Sequence, residues 1–202
     1  MAKLRKDLIF EDADGSGWGA GTSLIAVRRK IEQVFFQPEA LSSAVIRLPS
    51  EYHAAGNSIS MTDKMRARYR AAGASTIVVD NKHEAGDHAL LSMMDLATQT
   101  MHSLRAQFEQ AGLSPGMEPE MNAVVIGQDT DLATGLKSMQ EAGIKCHLLA
   151  NLGSCGDLGS AIYSGNVYDL QSFKDSLGTN KRPEEIAYSR GLHDGRIEAQ
   201  KD

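Results

Sequence analysis

The sequence predicts an α/β fold: a three-layer sandwich of helices packed around a mostly parallel, five-stranded sheet. Three observations carry this expectation. Short apolar runs rich in β-branched residues are separated by longer stretches whose apolar positions recur every three or four residues. The two kinds of segment alternate along the chain instead of segregating, the pattern of parallel strands joined by crossover helices. And 202 residues, 42% hydrophobic and 23% charged, suffice to bury one core without staples.

Leu8-Ile9-Phe10 reads as the first strand, ended by the polar cluster Glu11-Asp12-Ala13-Asp14-Gly15. Ser23 to Phe36 reads as a helix with Leu24, Val27, Ile31 and Val34 on one face, closed by Pro38. Ala44 to Leu48 is the second strand, stopped by Pro49. Met61 to Ala72 is helical, with Ser60 or Thr62 as its cap and Gly73 as its stop. Ser75 to Val79 is the third strand. A long helix covers about Asp87 to Gln110, and Leu90, Met93, Met94, Ala97, Met101, Leu104 and Phe108 hold helical spacing throughout. After the turn-rich stretch Gly112 to Glu120 comes a fourth strand, Asn122 to Ile126. Leu132, Leu136 and Met139 mark a helix ending at Gly143, and Lys145 to Ala150 is the fifth strand. A glycine-rich loop from Leu152 to Gly159 follows, then a short last strand near Val167 to Leu170. Residues 1–178 form the expected domain; 179–202 are charged and poorly periodic and read as an appendage or tail.

Composition excludes several classes. No apolar run approaches the ~20 residues needed to span a bilayer, so no membrane partner is expected. The basic start Met1 to Lys6 is not followed by a signal-peptide apolar region. Cys146 and Cys155 are nine positions apart, which fits neither a redox pair nor a zinc knuckle, so a reducing cytoplasm is the simplest compartment. A net charge of −5 argues against a general nucleic-acid coat protein but leaves room for a local basic groove.

Acidic residues gather where chemistry is expected in such a sheet, beyond the carboxyl ends of the strands. Strand one runs into Glu11, Asp12 and Asp14, and strand four into Asp129 and Asp131. Like charges crowded at strand ends raise one another's pKa, and a divalent cation removes that penalty. Any one of these acids also has a structural reading as a helix cap or turn former, Asp131 above all. Asp87, three residues before the apolar stripe begins, leans to the core side of the long helix in its first turn, where it serves the helix dipole or projects toward the other acids. Asp95, two turns further down, is a poor partner for that site.

The stretch KHEAGDHALLSMMDLA, followed by VVIGQDTDLATGLKSMQEAGIKCHLLA, resembles the NYN branch of the PIN-like nucleases. That family has a Lys-rich turn, an Asp opening a long helix, a strand ending in Ser-Gly-Asp-Ser-Asp-Phe, then a helix and Gly-Lys-Lys before the next strand. Here the matching segments are Gly127 to Leu132 and Ala142 to Lys145, and FEDADG resembles the family's Phe-Ile-Asp-Ala-Glu-Asn, which puts Asp12 on its first acid. The resemblance covers roughly residues 6 to 170. It implies strand order 3-2-1-4-5 and a metal-dependent ribonuclease that hydrolyses single-stranded RNA in the cytoplasm. It further implies catalytic Asp12, Asp87, Asp129 and Asp131, of which Asp12, Asp87 and Asp129 hold Mg²⁺ or Mn²⁺, and a homodimer. The chain departs from the pattern at Gly15, where the family has Asn. In a register slipped by one, Glu11 becomes the acid and Asp14 takes the Asn place, so both are auxiliary candidates. Gly127-Gln128 replaces Ser-Gly, and Met93 stands where many relatives carry a second helix acid.

Arg28, Arg29 and Lys30, and Lys64, Arg66, Arg68 and Arg70, read mainly as solvated helix surface. Arg66 and Arg70 are four apart and, with Lys82 ahead of the Asp87 helix, are the candidate RNA phosphate contacts. The six histidines show no metal spacing. The glycine-rich DGSGWGAG lacks the Lys-Ser/Thr of a P-loop and reads as a mobile loop over the site, with Trp18 either stacking a base or packing on its own domain. Two alternatives remain. DADGS resembles the opening of haloacid-dehalogenase-type phosphatases, with Asp12 as nucleophile and Asp14 as general acid. A catalytically degenerate NYN domain would bind RNA or protein without cutting.

Overall fold

The computed structural model describes residues 3–36, 45–80, 85–112, 119–153, 156–162 and 166–179. Its centre is one sheet of seven strands: β1 Lys3–Asp12, β2 Val45–Arg47, β3 Glu51–Asn57, β4 Ala74–Val79, β5 Glu120–Ile126, β6 Lys145–Ala150 and β7 Val167–Asp169. The order is β4-β3-β1-β5-β6-β7, and every ladder is parallel. Long β1 pairs β5 on one side. On the other it pairs β2 through Lys3 to Arg5 and β3 through Leu8 to Asp12.

The expectation of five main strands is corrected to seven. Of the predicted second strand, Ala44 to Leu48, only Val45–Arg47 forms β2, and Ala44 lies outside the described residues; past Pro49 the chain enters a further strand, β3, that the pattern does not show. Its sequence EYHAAGN is poor in β-branched residues and contains a glycine. It is a strand because it lies between β1 and β4 with Tyr52, Ala54 and Ala55 buried: tertiary context overrides propensity. Pro38, residues 113–118, Cys155 and residues 180–202 lie outside the described residues; the described fold runs to Thr179.

Two faces follow from the alternation along β1. Leu8 and Phe10 meet α4 (Ala85–Gln110) and α5 (Leu132–Glu141), through Leu90, Met94, Ala97 and Met101 on one helix and Leu136 and Met139 on the other. Each such side chain, fully buried, contributes about 1.5–3 kcal/mol. Ile9 meets the opposite layer, α2 (Leu24–Phe35), α3 (Asp63–Ala71) and α6 (Leu170–Asp175). Ser23 caps α2 and Thr62 caps α3, each accepting from a backbone N–H three residues on at 3.3 Å. Gly73 stops α3 with φ +72°, a conformation that a side chain disfavours.

The basic residues of α2 are less surface-like than their pattern suggests. Arg28 donates to Ala72 O at 2.8 Å and Ser50 O at 2.9 Å, so one guanidinium ties α2 to the end of α3 and to the loop before β3. Lys30 is buried and donates to Thr179 O at 2.7 Å. Arg68 likewise holds the carbonyls of Gly19 and Thr22. Among the described residues no helix is long and apolar enough to cross a membrane.

Candidate active site

The carboxyl ends of β1 and β5 lie side by side, Glu11 level with Ile126. Here the chain's connections diverge to opposite sides of the sheet, the place where open α/β sheets hold ligands. Asp12 ends β1 and caps the single-turn helix α1 (Ala13–Ser16), its Oδ1 accepting from Asp14 N at 2.9 Å. The predicted mobile glycine loop therefore begins as an ordered turn. Asp12 is 7% exposed, and burial pushes its carboxyl up to about 6; the Asp14 and Gly15 N–H groups offset this in part, and the charges of Asp14 and Glu11 add to it.

Two close approaches depend on glycine. A Cβ on Gly15 would come within 2.4 Å of Asp12 Oδ2, so a side chain where the family pattern has Asn would have to displace that carboxylate oxygen. A Cβ on Gly127 would meet Leu132 Cδ1 at 2.9 Å and Asp12 Cβ at 3.4 Å, which explains why the turn after β5 can pass so near the end of β1. Gln128 then reaches across, Nε2 donating to Gly15 O at 2.8 Å.

Asp87 arrives from α4. The first turn of that helix crosses the end of β3 closely: a Cβ on Gly86 would sit 3.5 Å from Gly56 Cα. Half-buried Asp87 is pushed up to about 6, first by burial and then by the charges of Asp12, Asp129, Asp131 and Asp14. Acids from β1, α1, α4 and the β5–α5 turn thus share one field. Asp129 Oδ1 accepts from Asp131 N at 3.0 Å. Asp131 holds the N-cap position of α5, yet its exposed carboxylate makes no capping hydrogen bond, so the helix does not account for its charge.

Other candidates are placed differently. Glu11 points to the opposite layer, fully buried, accepting from Trp18 Nε1 at 2.6 Å and from the Tyr52 and Tyr69 hydroxyls. Burial raises its pKa, and burial beside Glu11 raises both phenols, which stay protonated donors. The β1 register is therefore the one that puts Asp12 at the edge. Asp14 is held by Asn57, which donates from its backbone N at 3.2 Å and from Nδ2 at 2.9 Å, and by the Ser60 hydroxyl. Trp18 packs on its own domain, edge-on to Phe173, with Lys174 Nζ 5.3 Å over its ring. Arg66 pairs with Asp63, Arg70 is exposed, and Lys82 lies outside the described residues. Asp95, exposed, accepts from Gln99 one turn along α4. Sequence reasoning missed Asn57, Ser60 and Gln128, polar residues in turns whose partners are distant in sequence.

Among the described residues no three His, Cys, Asp or Glu side chains are gathered closely enough to hold a metal ion. The donor chemistry nevertheless suits a hard cation, because every candidate is a carboxylate and Mg²⁺ needs only one or two of them, with water completing its shell. Burial lifts both Asp12 and Asp87, and at Asp87 the charges of Asp12, Asp129, Asp131 and Asp14 add to it; a cation would relieve that added repulsion. The chain was compared with protein-family models and with curated proteins, and neither comparison finds a match.

Proposed function

We propose that the protein hydrolyses phosphodiester bonds of RNA with Mg²⁺ or Mn²⁺ held by Asp12, Asp87 and Asp129. One observation carries the reading: Asp87, on a different element from the others, is lifted to about 6 first by burial and then by the charges of Asp12, Asp129, Asp131 and Asp14. Carboxylates gathered at a switch point, with no Lys, Arg or His among them in the described residues, are a poor structural solution and a good site for a divalent ion. The resemblance of the chain to NYN-type PIN-like nucleases supports the same three ligands and the RNA substrate.

A bound ion there would neutralise the scissile phosphate and lower the pKa of a coordinated water. The chain's own residues supply orientation. Asp14 N holds one Asp12 oxygen at 2.9 Å, and Gln128 ties the Asp129 turn to α1. Asp131, exposed and without a capping bond, is placed to accept a proton at the edge. Arg66, Arg70 and Lys82 are the proposed contacts to backbone phosphates. The phosphatase alternative gains no support here, since Asp14, its general acid, is engaged by Asn57 and Ser60.

The test is a labelled single-stranded RNA incubated with Mn²⁺, Mg²⁺ or chelator. Cleavage is expected with metal only, and Asp129→Asn should reduce it at least ~100-fold, because the substitution keeps the shape but removes the anion. Equal cleavage by the variant would point elsewhere for the active centre. RNA binding by the wild type without cleavage under any metal condition would replace this reading with the binding module.

A further inference from the structure

Glu11 is a fully buried carboxyl group, 0% exposed, that the proposed chemistry does not use. Among the described residues no Arg, Lys or His bonds it; Trp18 after α1, Tyr52 on β3 and Tyr69 on α3 donate to it, and the Ser16 hydroxyl of α1 lies beside it. A hydrophobic side chain of similar size at such a position is commonly as stable or more so. What the carboxyl group adds is direction, because it fixes where three donors must sit.

One of those donors bears on the site. α1 is four residues long and starts at the Asp12 cap. Its far end leads through Gly17 to Trp18, whose indole N–H returns to Glu11. Adjacent carboxyl groups on β1 therefore hold α1 at both ends, Asp12 on one face of the sheet and Glu11 on the other. The turn between them supplies the N–H that orients Asp12 and the Gly15 carbonyl that anchors Gln128, the neighbour of Asp129.

We propose that Glu11 is a positioning residue for the carboxylate edge: through Trp18 it pins the far end of α1, so that Asp12 meets a divalent cation in a fixed orientation. The inference rests on the proposed metal site. It carries a spectroscopic consequence, because Trp18 is the chain's one tryptophan and its N–H is the pin. Occupation of the edge by a cation should change Trp18 emission.

The experiment is a titration of the full chain with Mn²⁺ alone, followed by calorimetry and, for the wild type, by tryptophan fluorescence. Trp18→Phe keeps a ring against Phe173 and deletes the donor together with part of the buried ring; Glu11→Gln keeps the shape of the acceptor. The expected result is Mn²⁺ binding by wild type with a change in emission. Binding by Trp18→Phe, measured well below the melting temperature of the variant, should be about 10-fold weaker, the low end of what loss of support around a metal ligand costs. Trp18→Phe alone decides the matter if Glu11→Gln does not fold. Equal Mn²⁺ affinity in Trp18→Phe and wild type would overturn the positioning role and leave the metal site standing. No Mn²⁺ binding by wild type would overturn both.

Discussion

β1 carries a buried carboxylate near each end, and the molecule treats the two in opposite ways. At the amino end Asp7, 6% exposed, accepts from Arg5 Nε at 2.9 Å and from Asn122 Nδ2 at 2.7 Å. Lys6 pairs with Glu51 beside it at 2.7 Å, and Arg28, Glu32 and Ser50 form a closed set behind. At the carboxyl end Asp12, 7% exposed, has backbone donors and, among the described residues, no Lys, Arg or His partner, and three more acids add their charge to that of Asp12 at the Asp87 position. Burial is the same at both ends, so burial does not separate structural from functional carboxylates. The separating feature is whether the chain supplies the counter-charge. Where the described residues do not, the proposed cation would supply the missing charge, and the metal-free protein carries a cost in stability.

The same substitution at the two ends should therefore act with opposite sign. Asp7→Asn leaves Arg5 buried without its anion and should destabilise by about 3–5 kcal/mol. Asp12→Asn removes a charge whose carboxyl is lifted from 3.8 to about 6, and should stabilise the metal-free protein at pH 7 by about 2–3 kcal/mol. Denaturant unfolding of both variants at pH 7 in chelator reads the two values. Destabilisation by Asp12→Asn would mean that its carboxylate is as well compensated as Asp7, and the contrast would fail.

Much of this contrast is legible in the sequence, and the remainder is not for identifiable reasons. The α4 stripe from Leu90 to Met101 declares itself because helix periodicity is local. β3 does not, because Ala54, Ala55 and Gly56 have no strand signal until β1 and β4 flank them. Asp12, Asp87 and Asp129 are found from strand ends and a helix start, positions that a fold class makes meaningful. The face of Glu11 was readable in principle, since alternation places it with Ile9, but a strand end in an acidic run gives no register by itself. Arg28 looked like solvated surface because the carbonyls it holds, on Ser50 and Ala72, are 22 and 44 residues away.

A pH series sharpens the comparison. The folded-state pKa of Asp12 is raised, so folding binds its proton more tightly and stability falls as pH climbs from about 3.8 to about 6. His147 behaves in the opposite sense. It is buried between the Phe35 and Tyr168 rings with neither ring nitrogen hydrogen-bonded, and burial, then Lys145 and Arg5, push it down to about 4. Its neutral form is favoured in the fold, so stability falls as pH drops from about 6.5 to about 4. The advantage of Asp12→Asn over wild type should vanish near pH 4 and be complete above pH 6. His147→Phe should gain on wild type as pH falls through the same range. Parallel stability curves for wild type and Asp12→Asn across pH 4 to 7 would show that the Asp12 carboxyl titrates alike in both states.

The smallest effect expected is the most discriminating. Mn²⁺ at ten times its dissociation constant should stabilise the wild type by about 1.4 kcal/mol through mass action. For a chain of this size that is a rise of roughly 3–6 °C in melting temperature. The rise should survive in Asp7→Asn, whose damage lies at the other end of β1, even though that variant melts lower overall. It should be lost in Asp12→Asn, although that variant melts higher in chelator. It should also fade below pH 6 in the wild type, because protons then occupy the carboxyls of Asp12 and Asp87 that the ion would need. Calcium-free buffer and NaCl at matched ionic strength remove the contribution of general screening. A rise of equal size in Asp12→Asn would place the ion away from the end of β1, and the uncompensated charge there would then need another explanation than a cation.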